Sequence, residues 1–264
     1  AVRLDELFNW GLGDFQARMK FAGFLHNEVA IRNAQLCQEL RLLPWGLAET
    51  KGVQKVLSCY SSYVETMADA PLPQTEEEEL NFRGLLNGIL EDNTQVVQTI
   101  GEGVAEVREA LGEEPYEEIR AEMDLILDRF FIKRIGLRFL LQHYVEAAKN
   151  RPGASGIIHS NVSVGRILMR SATEAKRLCR EKYGEVPEVV VFGSEGNQGS
   201  SWPGSSLAGQ GGRQFTYVPM HLQFSVDVLL QNACFATAER HLSSAKAGKG
   251  MPPVRANYAY GEEE

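Results

Sequence analysis

Four long segments with apolar residues at helical spacing fill most of the first 150 positions, and short breaks separate them. The spacing predicts helices over residues 15–43, 51–69, about 75–111 and 116–150. The fourth segment is the most apolar, with Ile126, Leu127, Phe130, Phe131, Ile135, Leu137, Phe139 and Leu140. Because long helices joined by short connections pack against their chain neighbours, we expect an N-terminal four-helix bundle.

Local signals mark the ends of these helices. Pro44 closes the first helix, since proline has no amide hydrogen to donate within a helix. Thr50 is placed to cap the second helix, and Thr75 with Glu78 three positions later forms a capping-box pattern for the third. Residues 112–115 combine glycine and proline, so we expect them to break the chain before the fourth helix.

The pattern changes after Pro152. Helices are predicted over residues 162–183 and 220–241, with short valine-rich or alternating strands over 188–192 and 254–260. Two strands are too few to cover the helices of such a region, so either more sheet comes from elsewhere or this α+β domain is incomplete.

The chain is therefore expected to be mainly α and to have two domains, a bundle over residues 1–152 and an α+β domain over 153–264. Residues 193–213, rich in glycine and serine, are expected to be a flexible surface insertion within the second domain.

Composition narrows the function classes. The 264 residues carry a net charge of −8 with no obvious basic patch, which argues against a nucleic-acid binder. No apolar run approaches the roughly 20 residues needed to cross a bilayer. The four cysteines have no CxxC spacing and predict buried free thiols in a reducing compartment. The first residue is Ala rather than Met, which leaves open whether a transit peptide precedes it.

Five segments carry recognisable motifs in a fixed order. They are residues 7–11 (LFNWG), 24–32 with 42–44, 127–135 (LDRFFIKRI), 161–163 with 175–179, and 217–222 (YVPMHL), which leads into a helix containing Asn232. Together they resemble the mitochondrial kinases of pyruvate dehydrogenase and branched-chain ketoacid dehydrogenase. The resemblance covers nearly the whole chain and implies a four-helix bundle followed by a histidine-kinase-like ATPase domain.

The resemblance also implies roles for single residues. Asn232 matches the family's magnesium ligand at the ATP site, while the general base, a Glu one helical turn earlier, is replaced here by Val228. Asp227 is the nearest carboxylate, but it lies roughly 140° around the helix from Asn232 and is expected to point elsewhere. The family's supporting His corresponds to Asn93, which does not titrate near neutral pH.

Phosphoryl transfer needs a phosphate cradle, a magnesium ligand and a proton acceptor. The family's nucleotide segment, Asp-x-Gly-x-Gly, does not occur, and the chain stops at Glu264, where that segment is expected to begin. Glycine-rich residues 193–212 precede the Asn232 helix, whereas the family's lid follows it, so they are not expected to replace the cradle.

These residues together favour a catalytically inactive member of the family, a structural or regulatory subunit of an assembly in the mitochondrial matrix or on the matrix face of an inner-membrane complex. No cofactor is expected, and the partners are other proteins of that assembly, such as a lipoyl domain or a dehydrogenase component. By the resemblance, Phe8 and Trp10 are candidate partner contacts, although burial in the bundle is the more common reason for such aromatic side chains.

Two other interpretations stay open. One is an active serine/threonine kinase of a 2-oxoacid dehydrogenase, seen as a fragment and using Mg-ATP. The other is an unrelated helical interaction protein.

Overall fold

The chain divides into two compact units in a computed structural model, residues 1–156 and residues 157–264. The structure describes residues 4–12, 14–92, 95–194, 215–243 and 250–259. Helices account for most of these residues, so the predicted mainly α fold class is confirmed. None of the helices in these ranges is long and apolar enough to cross a bilayer.

The first unit contains six helices within the described ranges, not four. They are α1 (Leu4–Leu12), α2 (Phe15–Arg41), α3 (Lys51–Asp69), α4 (Glu76–Asp92), α5 (Val96–Leu111) and α6 (Glu113–Ala147), followed by the short strand β1 (Ala154–Ser155). The long helix α2 packs against both α3 and α6, while α4 packs mainly on α6.

The single helix predicted over residues 75–111 is wrong, because α4 ends at Asp92 and α5 begins at Val96. The polar run from Asp92 to Gln95 separates them, and Asp, Asn and Thr side chains compete for backbone hydrogen bonds and weaken a helix. The two helices also bury their apolar faces on different partners, since α5 packs mainly on α3.

Both predicted N-caps are confirmed. The Thr50 hydroxyl accepts a hydrogen bond from the Val53 amide at 3.4 Å. Thr75 and Glu78 form the reciprocal capping box, with the Glu78 amide donating to the Thr75 hydroxyl at 3.3 Å and the Thr75 amide donating to the Glu78 carboxylate at 3.2 Å. Reciprocal bonds of this kind satisfy two amides that have no partner inside the helix.

The break before α6 is shorter than predicted. Gly112 alone separates α5 from α6, with a φ of 82° that suits glycine. Pro115 lies inside the first turn of α6, where a missing amide hydrogen costs nothing.

The second unit places two helices beside a small parallel pair of strands. Helix α7 (Val164–Tyr183) and helix α8 (Pro219–Ser243) pack along each other, and strand β3 (Val189–Ser194) pairs in parallel with β5 (Val254–Ala259). Strand β2 (Ile158–Val162) pairs antiparallel with β4 (Phe215–Tyr217), and neither was predicted. The helix predicted from residue 162 therefore begins two residues later, and most of the predicted insertion, residues 195–213, lies outside the described residues.

Small side chains let α7 and α8 approach closely. The shared core contains Leu168, Ala172, Ala175 and Cys179 from α7, and Leu230, Cys234 and Ala238 from α8. All four cysteines are free thiols, and Cys179 donates a hydrogen bond from Sγ to the Cys234 carbonyl at 3.7 Å. Burial raises the pKa of the Cys234 thiol to about 11, so this thiol stays protonated and packs as an apolar group.

Candidate functional site

The rotation of α8 is fixed by its buried side chains. Leu230, Cys234 and Ala238, spaced four residues apart, form the face that enters the core. Asn232 lies two residues from both Leu230 and Cys234, about 200° around the helix, so its side chain is directed away from the core. Asn232 is accordingly exposed.

Val228 shares the exposed face of α8 with Asn232. It lies one turn earlier on the same side of the helix and is 39% exposed. Its isopropyl group has no lone pair and cannot accept a proton from a substrate hydroxyl. The surface one turn before Asn232 is therefore apolar.

Asp227 lies on the side of α8 that faces α7. Its Oδ1 accepts a hydrogen bond from Gln223 Nε2 at 2.8 Å, and the same amide donates to Ser171 Oγ on α7 at 2.8 Å. Ser171 is fully buried, so this bridge fixes the direction of the Asp227 carboxylate. Asp227 and Asn232 are thus directed to different sides of the helix.

Asn232 would offer a magnesium ion one neutral ligand. The amide oxygen of Asn232 suits a hard cation, but magnesium usually binds through carboxylates and nucleotide phosphates in an octahedral shell. Within the described residues, no group of three or more His, Cys, Asp or Glu side chains could hold a metal ion. Asn232 by itself therefore fits a magnesium site incompletely.

Two further elements of the expected site fall outside the described residues. Asn93 follows the last described residue of α4, and the glycine-rich residues 195–213 follow the end of β3. Their predicted roles remain predictions.

Two side chains of the first unit donate hydrogen bonds to backbone carbonyls of helix α1. His143 Nε2 donates to the Leu7 carbonyl at 2.8 Å, and Ser155 Oγ donates to the Phe8 carbonyl at 2.5 Å. Burial lowers the pKa of His143, so the ring is neutral at physiological pH. This assigns the proton to Nε2.

Trp10 takes part in an aromatic cluster of the bundle. Its ring centroid lies 5.1 Å from that of Phe21 and 5.4 Å from that of Phe24. Trp10 and Phe8 are both half-buried, so each presents only part of its side chain to solvent. Their contact with a partner remains a prediction.

A groove between α7 and α8 was not predicted from the sequence. It has a volume of about 730 Å³, and its lining includes Ile167, Arg170 and Glu174 of α7 and Met220, Gln223 and Asp227 of α8. The spacing of Arg166 and Arg170 on one side of α7 is visible in the sequence, but the groove depends on how two distant helices pack.

A family model matches residues 1–167, more than half of the chain, and describes the mitochondrial branched-chain alpha-ketoacid dehydrogenase kinase. The mitochondrial [pyruvate dehydrogenase (acetyl-transferring)] kinase of Arabidopsis thaliana is 29% identical over 245 residues, which cover 92% of this chain and 61% of the relative. The mouse isozyme 1 of that kinase is 31% identical over 249 residues, covering 91% and 54%. The chain thus spans little more than half the length of these relatives.

Proposed function

Because this chain belongs to the family of mitochondrial branched-chain α-ketoacid and pyruvate dehydrogenase kinases, we propose that it is a member without kinase activity. It acts as a structural or regulatory subunit of a mitochondrial assembly.

Val228 carries the proposal. Protein kinases position a side chain that accepts the substrate hydroxyl proton, and such general bases contribute about 10²–10⁴-fold to a rate. The exposed face of α8 offers an isopropyl group one turn before Asn232. Asp227, the neighbouring carboxylate, instead accepts a hydrogen bond from Gln223, whose amide also donates to Ser171 on α7.

The proposed location and partners follow from the family. The matched family and the relatives are named as mitochondrial, which supports a location in the matrix. The relatives are named as kinases of pyruvate dehydrogenase, so components of such a dehydrogenase complex are the first partners to test. Phe8 and Trp10 on α1 are the side chains proposed to contact them.

The alternative is an active kinase that uses Mg-ATP. Two observations favour it: the relatives are named as kinases, and Asn232 keeps an exposed amide on α8. In that case another group accepts the hydroxyl proton.

An assay of phosphate transfer from radiolabelled Mg-ATP to pyruvate dehydrogenase distinguishes the inactive member from the active kinase. We expect a reaction with the full-length gene product to transfer no more phosphate than a blank reaction without this protein. Transfer clearly above the blank would refute the inactive assignment. Calorimetry with Mg-ATP reports nucleotide binding separately, so a protein that binds but does not transfer is recognised.

Two variants test whether Val228 is the cause of the missing phosphate transfer. Val228→Glu introduces a carboxylate four residues before Asn232, whereas Leu229→Glu introduces the same charge at a residue that is 67% exposed about 100° further round α8. If the missing base limits transfer in a protein that binds Mg-ATP, only Val228→Glu gains activity. Equal gains of transfer activity in both variants would show that the direction of the carboxylate around α8 does not matter.

A further inference from the structure

The buried ring of His143 lies against helix α1. His143 belongs to α6 and is 0% exposed, and its Nε2 donates a hydrogen bond to the Leu7 carbonyl at 2.8 Å. A methyl group at Gly11 would lie 3.1 Å from Nε2 and would overlap the Ser155 hydroxyl, so α1 covers this nitrogen closely. A methyl group at Gly156 would overlap Nδ1, so the backbone also encloses the second nitrogen.

Nδ1 of His143 has no hydrogen-bond partner within the described residues. The rings beside it belong to Phe21 and Phe139, with centroids 5.9 Å and 6.4 Å from that of His143, and neither ring carries a lone pair for an N–H group. A neutral ring leaves only an unused lone pair at Nδ1. A protonated ring would place a charged N–H group there without an acceptor, and burying an unpaired charge costs far more than burying a lone pair.

The charged side chains on the elements around His143 are exposed or already engaged, and strand β1 has no ionisable side chain. They are Glu6 on α1, Arg18 and Lys20 on α2, Glu79 on α4 and Glu146 on α6. Glu79 accepts a hydrogen bond from Tyr144, and Glu146 pairs with Lys149 at 2.5 Å. Glu6 and Lys20 are exposed, and the Arg18 guanidinium lies over the Phe15 ring. Burial lowers the pKa of His143, and the hydrogen bond to the Leu7 carbonyl acts in the opposite direction.

From this geometry we propose that His143 is an acid-sensitive latch for α1. The neutral ring retains the helix, and protonation at Nδ1 releases it, because water can solvate the charged ring only after α1 has left. Helix α1 has nine residues, and helices shorter than about 12–15 residues are marginal in water by themselves, so the released segment unfolds. Release exposes Leu7, which is 4% exposed in the docked helix, together with Phe8 and Trp10.

The pH range of the release follows from the two states of the ring. Above pH about 6.5 His143 is neutral whether α1 is docked or released, so docking is then at full strength. Below that pH the released ring binds a proton that the docked ring does not, and the equilibrium constant for release should rise by up to about tenfold per pH unit. The release needs neither phosphate transfer nor the partner proposed for Phe8 and Trp10, since its contacts all lie inside the first unit.

Hydrogen exchange of the full-length chain between about pH 7.5 and about pH 5.5 tests the latch. Each amide rate in α1 and in α3 is divided by the rate of the unprotected amide at the same pH, which gives the protection of that amide. We expect α1 to be less protected than α3, and its protection to fall by up to about tenfold per pH unit below pH about 6.5. Equal protection of the two helices at every pH would show that α1 opens only by global unfolding, and constant protection of α1 would show that no proton is involved. Either result overturns the latch.

Three variants separate the effect of the ring proton from that of the hydrogen bonds. His143→Gln keeps an Nε2 donor for α1 but cannot bind a proton, so α1 should stay protected at low pH. Ser155→Ala removes the neutral hydrogen bond to the Phe8 carbonyl, so it should lower the protection of α1 at every pH and leave its pH dependence unchanged. His26→Gln is the matched control, because His26 also bonds a backbone carbonyl at 2.8 Å, that of Ala70 outside α1. It should keep the pH dependence of the unchanged protein.

An NMR titration of the His143 ring in the unchanged protein gives a second measurement, which does not depend on the folding of any variant. Protonation of the ring, followed by its ¹³Cε1 chemical shift, should coincide with the loss of protection in α1. A ring that binds a proton while α1 keeps its protection would overturn the proposal. So would a pH dependence of α1 protection that persists in His143→Gln.

Discussion

The hydrogen bond between Tyr144 and Glu79 is expected to stabilise the first unit measurably. The Tyr144 hydroxyl donates to Glu79 Oε1 at 2.6 Å, and both residues are 2% exposed. Burial raises the pKa of Tyr144, so the phenol remains a donor at neutral pH. Arg83 Nη1 lies 3.4 Å from the other carboxylate oxygen.

Tyr144→Phe removes the hydroxyl and keeps the ring, so the change opens no large cavity. A hydrogen bond to a charged group contributes about 1.5–3 kcal/mol to stability. For a unit of this size, a loss of about 2 kcal/mol lowers Tm by roughly 4–8 °C. Thermal and urea unfolding followed by circular dichroism and by tryptophan fluorescence measures the loss.

Tyr116→Phe is the matched control in the same unit. Tyr116 is 8% exposed and its ring packs beside the Arg108 guanidinium, but its hydroxyl bonds to no described residue. We expect this variant to stay within about 0.5 kcal/mol of the unchanged protein. An equal loss in both variants, or no loss in Tyr144→Phe, would refute the assignment of the energy to this bond.

Three further outcomes are expected. Burial lowers the pKa of His143, so as pH falls this residue is protonated in the unfolded chain before it is protonated in the folded one. The free energy of unfolding should therefore decrease as pH drops below about 6.5, and urea unfolding of His143→Gln should show a weaker dependence of that free energy on pH. A methyl group at Gly52 would overlap the Thr99 carbonyl oxygen, so Gly52→Ala should lower Tm. At Gly84 on α4 the added methyl group would meet open space, so Gly84→Ala should raise the free energy of unfolding by about 0.5–1 kcal/mol. Iodoacetamide labelling, read by mass spectrometry, should spare Cys179 and Cys234 until the chain unfolds, because both are fully buried.

Features fixed by neighbouring residues were predictable from the sequence. The caps at Thr50 and Thr75 involve partners three residues away, so the local pattern specifies them. The shared face of Val228 and Asn232 likewise follows from a four-residue spacing in a helix.

Features set by distant contacts were not predictable. Strands β2 and β4 are short and are held by pairing with a strand distant in the chain, so neither shows a strong pattern of its own. The break between α4 and α5 interrupts an apolar pattern that continues on both sides, because each helix finds its own partner in the bundle. The α7–α8 groove depends on which sides of two separate helices face each other.

The parallel pairing of β3 with β5 has a consequence for synthesis of the chain. Val189 pairs with Val254, so β3 has no partner strand until α8 and the residues around it have been made. In the first unit, by contrast, α2 packs against its chain neighbour α3, so part of that unit can form while translation continues. During that interval the β3 edge that pairs with β5 is open, and we expect it to be a site of unwanted strand pairing with other nascent chains.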